Sequence, residues 1–211
     1  MRHVFILNPA AGKHHRALDL VPRIKAYFAA HPADYLLHET TAPGEATAFV
    51  RQCCAEGVPT RFYACGGDGT LIETAAGLRG CAHAELTAIP CGSANDYIRS
   101  FGEEEAFHDL PRLIGGTVRE VDGIRCGDYL ALNICAMGMD ANVAYKMTRY
   151  KHLPLVSGPM AYQLAVLDVF CHRFGRRQRV VMDTPEGEIT REGVYLFSLA
   201  ASGQYYGGGY H

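Results

Sequence analysis

The stretch that decides the fold is RFYACGGDGT, residues 61–70, in which an apolar run leads into a glycine turn. Residues 61–65 are typical of a buried strand, and residues 71–78 are typical of the helix that follows it. The carboxyl ends of such strands are where α/β folds bind ligands. Because glycine lacks a Cβ atom, the backbone N–H groups of this turn can approach phosphate oxygens closely. The stretch therefore predicts an α/β fold with a phosphate site after this strand.

One aspartate, Asp68, lies inside the glycine turn. Its carboxylate would repel a phosphate group unless a divalent cation lies between the two or hydroxyl groups donate hydrogen bonds to it. The turn therefore points to a metal-bound nucleotide. The alternative is an ordinary glycine-rich turn in which Asp68 is only solvated.

Composition narrows the class of protein. The chain has 211 residues, a formal net charge of −2 and dispersed basic residues, which argues against a nucleic-acid-binding surface. The one basic cluster, within residues 173–179, is expected to be the solvated start of a strand, with contact to an anionic membrane as the alternative.

Eight cysteines form no Cys-x-x-Cys pair, and the ten histidines add no metal-ligand spacing. We expect the cysteines to be reduced core residues, which fits a cytoplasmic location. The N-terminal apolar run is too short for a signal peptide, and no apolar run has the length of a transmembrane segment. We therefore expect a soluble protein that is at most peripheral at a membrane.

Residues 1–122 alternate short apolar strands with amphipathic helices, a pattern that predicts a parallel sheet covered on both faces. Because turn residues follow every strand, the four loops should lie together along one edge of a Rossmann-like, nucleotide-binding α/β domain. Strands are predicted at residues 4–7, 35–39, 61–65 and 85–89, and helices at 17–30, 44–56 and 71–78.

The pattern changes after Asp122, and residues 123–211 are expected to form the first part of a β-rich domain. Two or three strands do not close a β-sandwich, so we expect this domain to be truncated at His211. A long β-like run covers residues 129–137, helices are predicted at 140–148 and 160–174, and strands at 177–183 and 193–201.

The helix predicted at residues 160–174 has an apolar face. We expect this face to pack in the core, with contact to lipid as the alternative. It consists of Met160, Leu164, Leu167 and Phe170.

Two further loops carry candidate binding residues. The common phosphate-binding motifs G-x-x-x-x-G-K-[ST] and G-x-G-x-x-G do not occur, so a nucleotide site must be built differently. Asn8, after the first strand, is placed to hydrogen-bond a nucleotide, and the alternative is a plain Asn-Pro turn. Residues 90–96 leave the fourth strand and enter a helix, which makes them either an anion site or an ordinary capped helix start.

Taken together, these loops resemble the diacylglycerol kinase catalytic family, which includes bacterial lipid kinases and the sphingosine and ceramide kinases. The resemblance covers the whole chain, whereas the glycine-aspartate turn alone also resembles that of NAD kinases and, in a close variant, of phosphofructokinases. The residues that carry it are Asn8-Pro9-x-x-Gly12, Thr40-x-x-x-Gly44-x-Ala46, Gly66 to Thr70 with Glu73, Gly92-Ser93-Ala94-Asn95-Asp96, Val121-Asp122, Asn133 and Gly138-x-Asp140-Ala141.

The resemblance implies a phosphofructokinase-like N-terminal domain, a C-terminal β-sandwich domain and ATP in the cleft between them. It also implies that Asp68 is catalytic and that Asp96 and Asp122 complete an acidic network linked to Mg²⁺, often through water. A carboxylate cluster beside a triphosphate makes electrostatic sense only with a cation. The residues expected around the nucleotide are Asn8, Thr40, Gly66, Gly67, Asp68, Gly69, Thr70, Glu73, Ser93 and Asn95.

Three positions depart from the family pattern. Ile72 stands where Asn is common, Ser93 replaces Thr but keeps a hydroxyl, and the pair Ala-Ser at residues 201–202 stands where Gly-Asn is common. The family's general base and a regulatory Mg²⁺ site resemble elements expected beyond His211.

The resemblance implies an ATP- and Mg²⁺-dependent lipid kinase of phospholipid biosynthesis, which phosphorylates a hydroxyl of diacylglycerol or a sphingoid-type lipid at the membrane surface. One alternative is an NAD-kinase-like enzyme, against which the loops at Asn8 and Ser93 argue. Another is a non-catalytic nucleotide-binding or regulatory module, against which the retained acidic residues argue. The sequence leaves open the lipid, the base of the donor and the oligomeric state, for which a homodimer is one alternative.

Overall fold

The computed structural model describes residues 1–12, 16–127, 129–150, 153, 156, 158–172 and 175–205. The chain divides into two compact units. The first runs from Met1 to Asn133 and resumes at Ala201, and the second is Ile134–Ala200. This division differs from the expected boundary at Asp122, because Leu130 and Leu132 pack with the apolar residues of the first unit.

The first unit is built on a four-stranded parallel sheet with the strand order β2-β1-β3-β4. Leu7, at the end of β1, pairs with Glu39 on one side and Cys65 on the other, and Gly66 pairs with Pro90. The loops that follow the four strands therefore leave the same edge, and the predicted α/β fold is confirmed. The strands are β1 (Arg2–Leu7), β2 (Tyr35–Glu39), β3 (Thr60–Gly66) and β4 (Ala84–Pro90).

Helices cover both faces of this sheet. On one face, Phe5 stacks on Tyr63 with ring centroids 4.2 Å apart, and both belong to a buried cluster with Phe28. On the other face, Val4 and Val50 lie in a second buried cluster. Neighbouring residues of β1 therefore point to opposite layers, as the pleat of a strand requires. The α-helices of this unit are α1 (Leu20–Ala30), α2 (Glu45–Ala55), α3 (Asp68–Gly77) and α4 (Leu110–Gly115).

Local details differ from the predicted elements. Helix α3 begins at Asp68 rather than at residue 71, so part of the glycine turn is helical. The helix expected after Asp96 is only a 3₁₀ helix, Tyr97–Ser100. A second 3₁₀ helix is Glu104–His108, and the predicted strand at 129–137 is interrupted, giving β6 (Tyr129–Ala131), which pairs antiparallel with β5 (Ile124–Cys126), and β7 (Ile134–Gly138).

The second unit combines two helices with antiparallel strands. Strands β8 (Arg176–Thr184) and β9 (Gly187–Tyr195) form an antiparallel hairpin. Strand β10 (Phe197–Ala201) pairs with β7, so the strand predicted at residues 193–201 is divided between β9 and β10. The helices are α5 (Met139–Tyr150) and α6 (Gly158–His172).

The apolar face predicted on α6 does not lie in a core. Its four residues are between 38% and 60% exposed in this structure. Helix α5 instead packs on the small residues of α6, since Ala165 and Val169 form a buried cluster with Val143. Small side chains let two helices approach closely, so α5 packs on that face of α6. The face with the larger apolar side chains therefore stays exposed. In the described part of the chain, no helix combines the length and apolar character needed to cross a bilayer.

The prediction that all cysteines are reduced core residues is wrong in part. Cys53, Cys65 and Cys91 are buried thiols, as expected. Cys54 and Cys81, however, form a disulfide that connects the last turn of α2 to the segment before β4. Cys126 and Cys171 are exposed. A disulfide between residues 27 positions apart depends on how α2 and α3 pack, which the spacing of the cysteines does not reveal.

Candidate functional site

Three loops meet at the carboxyl edge of the sheet because glycines allow their backbones to touch. The N–H of Cys91 donates to the carbonyl oxygen of Gly66 at 2.8 Å. A Cβ atom on Gly92 would lie 2.5 Å from the Cα of Gly67, and one on Gly12 would collide with the carbonyl oxygen of Cys91. The loops after β1, β3 and β4 are therefore in direct contact, which agrees with the prediction that the loops lie together along one edge of the sheet.

Asp68 is held at this junction by two backbone N–H groups. Its Oδ2 accepts from the N–H of Asp96 at 3.1 Å, and its Oδ1 accepts from the N–H of Tyr97 at 3.2 Å. A carboxylate offers about four acceptor positions, so each oxygen retains capacity for a hydroxyl group, a metal-bound water or a cation. The side chain is oriented in advance and remains chemically available.

Asn8 connects the loop after β1 to helix α3. Its Nδ2 donates to Thr70 Oγ1 at 2.9 Å, and its Oδ1 accepts from the N–H of Ala10 at 3.0 Å. The Thr70 side chain fills the space beside Gly66, where a Cβ atom would clash with it. The structure therefore brings together the predicted residues Asn8, Gly66 and Thr70.

A cavity of about 160 Å³ opens beside these residues. Glu73 is among its lining residues, and the Oε2 of its carboxylate accepts from the N–H of Gly44 at 2.9 Å. Among the described residues that line it, Glu73 has the only ionisable side chain, and none is basic. Because the lining has no positive charge and one carboxylate, it suits a nucleoside better than phosphate groups. The lining residues are Asn8, Ala10, Thr40, Thr41, Ala42, Pro43, Ala46, Thr70 and Glu73.

Ser93 and Asn95 belong to the loop after β4. Ser93 is exposed at the tip of this loop. Asn95 is 5% exposed, has a left-handed backbone with φ of 52°, and donates from Nδ2 to the carbonyl oxygen of Gly92 at 3.2 Å. Its Oδ1 is buried and has no hydrogen-bond partner within the described residues. Asn95 therefore shapes the loop, and Ser93 is placed where a ligand can reach it.

The three acidic residues of the expected network are not all brought together. Asp68 and Asp96 meet through the backbone contact, and the carboxylate of Asp96 lies 3.8 Å from Arg99 Nε. Asp122 is exposed and, over the part of the chain that is described, makes no hydrogen bond or ion pair with either of them. The structure thus shows direct contact between Asp68 and the loop of Asp96, and a water-mediated role of Asp122 stays a prediction.

The residues present fit a magnesium ion that is shared with a phosphate ligand. No group of three or more His, Cys, Asp or Glu side chains is arranged to hold a metal among the described residues. Mg²⁺ in phosphoryl-transfer sites, however, is usually held by one or two carboxylates, with phosphate oxygens and water completing its octahedron. Asp68 and Asp96 supply that number of carboxylates, and the adjacent glycine loops leave room for phosphate.

Two parts of the site were not predicted from the sequence. They are the part of the cavity wall formed by residues 41–43 and Glu45, which holds it. Oε2 of Glu45 accepts hydrogen bonds from both the N–H and the hydroxyl of Thr41. An acidic residue in the first turn of a helix, after a Thr-Ala-Pro-Gly turn, is a recognisable sign that a side chain reaches back to cap the preceding loop.

A larger cavity, of about 590 Å³, lies along β4. It includes none of the glycine turn and neither Asn8 nor Thr40. Its buried cation, Arg61, is already paired with Glu85 at 2.6 Å and donates to the carbonyl oxygens of Leu113 and Ile114. Size alone would favour this cavity, but the candidate site is the smaller one because it adjoins the glycine loops.

Comparison with known proteins identifies the family of this chain. Residues 2–126 match the model of the diacylglycerol kinase catalytic domain. The match covers more than half of the chain, which therefore belongs to the diacylglycerol kinase catalytic domain family. The family identified from the loop motifs is thereby confirmed.

Curated relatives are bacterial. A Pseudomonas aeruginosa protein named "Probable lipid kinase YegS-like" is 31% identical over 172 residues, which are 81% of this chain and 55% of the relative. A protein of the same name from Alcanivorax borkumensis is 27% identical over 168 residues, with 79% and 54% covered. The chain thus spans about half the length of the curated relatives that it matches.

Solved structures share the fold. A diacylglycerol kinase from Bacillus anthracis strain Sterne superimposes with a TM-score of 0.69 at 23% identity, covering 99% of this chain and 66% of that one. At that identity, the likeness shows the fold alone. The name "Probable lipid kinase YegS-like" belongs to those curated relatives.

Proposed function

We propose that this protein is an ATP-dependent lipid kinase, which transfers the γ-phosphoryl group to a hydroxyl of diacylglycerol or a sphingoid-type lipid. The observation that carries the proposal is the position of Asp68. Two backbone N–H groups hold its carboxylate where the glycine loops meet, on the helix that contributes Thr70 and Glu73 to the cavity of about 160 Å³. This combination supports a role of the Asp68 carboxylate next to the phosphates of a bound nucleotide.

The donor nucleotide binds along the edge of the sheet. Its nucleoside occupies the cavity between Thr40 and Glu73, where hydroxyl, amide and carboxylate groups accept or donate hydrogen bonds. Its phosphates extend towards the glycine turn, where nothing lies within 4 Å of the Cβ position of Gly69 and the backbone is accessible. The N-terminus of α3, which begins at Asp68, contributes a favourable dipole for these anionic groups.

Asp68 and Asp96 would hold Mg²⁺, directly or through water, when the nucleotide is bound. The ion supplies charge neutralisation for the transferred phosphoryl group. Asp68 stays in position because of its contacts with Asp96 and Tyr97, and it can also accept a hydrogen bond from the incoming hydroxyl. Most of the rate enhancement then comes from positioning and from electrostatic stabilisation.

The second unit has features that suit an apolar acceptor at a membrane surface. Helix α6 exposes Met160 to 48% and Leu167 to 60%, and Arg176 and Arg177 are exposed at the start of β8. Exposed apolar side chains and exposed cations each favour contact with a membrane that carries anionic lipid headgroups. The lipid substrate would therefore be met at the bilayer surface.

A phosphoryl-transfer assay tests this function. The full chain is incubated with γ-labelled ATP, Mg²⁺ and vesicles that contain diacylglycerol or sphingosine, with NAD as a competing acceptor. We expect label in a lipid. Label in NAD alone would favour the NAD-kinase-like alternative, and nucleotide binding without transfer to any acceptor would favour a non-catalytic module.

A further inference from the structure

The cavity wall formed by Thr40–Pro43, here called the β2–α2 wall, has no regular secondary structure of its own. It follows β2 and precedes α2, and all four of its residues line the cavity. Backbone hydrogen bonds anchor its beginning, where the N–H of Thr40 donates to the carbonyl oxygen of Leu7 at 2.9 Å, and reach Ala42, whose carbonyl oxygen accepts from the N–H of Glu45 at 3.3 Å. The N–H groups of Thr41 and Ala42 are bonded by a side chain instead.

Glu45 supplies the main contacts that hold the β2–α2 wall. Its Oε2 accepts from the N–H of Thr41 at 2.7 Å, from the Thr41 hydroxyl at 2.8 Å and from the N–H of Ala42 at 3.2 Å. Hydrogen bonds to a carboxylate are stronger than those between neutral groups. The Thr41 N–H and hydroxyl lower the pKa of Glu45, so the acceptor is charged at neutral pH.

The other oxygen of Glu45 faces His38 on β2. His38 Nε2 lies 3.4 Å from Glu45 Oε1, and the imidazole stacks on Phe49 of α2 with ring centroids 3.7 Å apart. Glu45 is therefore held between β2 and its own helix. Its side chain has little freedom to release the wall.

A second carboxylate fixes the far end of the wall. Gly44 has a left-handed backbone, with φ of 84°, and donates its N–H to Glu73 on α3. Thr47 donates its hydroxyl to the backbone carbonyl of Glu73 at 2.7 Å. Glu73 itself lines the cavity, whereas Glu45 does not. The two acidic residues thus have different positions relative to any ligand.

We infer that Glu45 is a positioning residue, which sets the affinity for the donor nucleotide by holding the β2–α2 wall against the nucleoside. This inference rests on the proposed function. Because Glu45 lies outside the cavity, it acts through Thr41 and Ala42 and has no contact with the reacting atoms. Its loss changes nucleotide binding and leaves the chemical step intact, since a wall that must be ordered on binding lowers affinity.

Glu45→Ala in the full chain tests this role. We expect the dissociation constant of a non-hydrolysable ATP analogue, measured by calorimetry, to rise about tenfold or more, which corresponds to the loss of charge-assisted hydrogen bonds. The KM for ATP should rise in parallel. At saturating ATP, kcat and the KM for lipid should stay within about twofold of wild type, as expected when only uniform binding is lost.

Two further variants keep the test decisive. Glu45→Gln retains the size of the side chain and one acceptor oxygen, so it should weaken binding less than Glu45→Ala, and it replaces that variant if Glu45→Ala does not fold. Gln52→Ala, on an exposed position of the same helix, is the matched control and should bind like wild type.

Two results would overturn the inference. Wild-type affinity in both Glu45 variants would show that the wall needs no such support, and a fall in kcat at unchanged affinity would place Glu45 in the chemistry. Failure of the wild-type chain itself to bind the analogue would instead defeat the proposed function and, with it, this inference.

Discussion

Oδ2 of Asp68 accepts a hydrogen bond from the backbone N–H of Asp96 at 3.1 Å, which joins two motifs that lie 28 residues apart. The contact exists because β3 and β4 are adjacent parallel strands whose following loops leave the same edge. The carboxylate is thereby held by the second loop rather than by its own helix. The orientation of Asp68 depends on the contact between the two loops.

The contact between those loops should depend on Gly92. A Cβ atom there would lie 2.5 Å from the Cα of Gly67 and 2.8 Å from Asn95 Oδ1, so Gly92→Ala should cost about 1–3 kcal/mol in the free energy of unfolding. Gly69→Ala is the matched control, because nothing lies within 4 Å of its Cβ position and the residue is helical. It should leave stability unchanged or raise it by up to about 1 kcal/mol.

Urea unfolding measures both glycine variants. Equal stability of Gly92→Ala and the wild type would show that the loops do not touch as described. Gly69→Ala adds a separate readout, because it should weaken nucleotide binding without weakening the fold if the turn approaches phosphate through its backbone.

The free energy of unfolding should decrease as the pH is lowered, because of His3. This residue is 7% exposed, and its Nδ1 lies 2.9 Å from the hydroxyl of Tyr63. Burial, followed by the charge of Arg61, lowers the pKa of His3 in the folded state. The unfolded chain then takes up a proton below about pH 6.5 that the folded chain does not, so stability is lost from there down to the folded pKa.

Urea unfolding between pH 8 and pH 5 tests this pH dependence. Replacement of His3 by Gln should flatten the slope below about pH 6.5. The matched control is His31→Gln, which removes a histidine at an exposed position after α1. A His3→Gln protein with an unchanged slope would contradict the assignment.

Reduction should destabilise the first unit. The Cys54–Cys81 disulfide closes a segment with a sequence separation of 27 residues, and the entropy of such a loop corresponds to about 3.5 kcal/mol in the unfolded state. Unfolding measured with and without dithiothreitol should differ by an amount of this order. Cys54→Ser should resemble the reduced protein, and Cys126→Ser, at an exposed free cysteine, should resemble the oxidised one. Insensitivity of the wild type to the reductant would rule out the disulfide.

Much of the first unit was predictable from local patterns. The strand Tyr35–Glu39 has the predicted bounds, and the other three strands extend the predicted ones by one or two residues. Buried apolar runs between turn residues leave few alternatives to a parallel sheet. The start of α3 was missed because glycine is read as a turn residue, although here Asp68 and Gly69 already lie in the helix.

The features that the sequence could not reveal depend on contacts between residues that are far apart along the chain. Periodicity pointed to one apolar face of α6, which includes Leu164, but only the position of α5 shows that Ala165 is the buried residue. The disulfide at Cys54 likewise depends on helix packing that the sequence does not reveal. Motif order correctly placed Asn8, Thr40 and Asp68 at one edge, since parallel strands bring their ends together.

The most direct test is the rate of phosphoryl transfer by Asp68→Asn with ATP, Mg²⁺ and lipid vesicles. The amide keeps the size of the side chain and one hydrogen-bond acceptor, so the circular dichroism spectrum should not change. We predict that transfer to lipid falls by on the order of 10³-fold, because the neutral amide would hold the Mg²⁺ that neutralises the transferred phosphoryl group far less well. Lipid phosphorylation at the wild-type rate by Asp68→Asn would contradict the assignment of this carboxylate to catalysis.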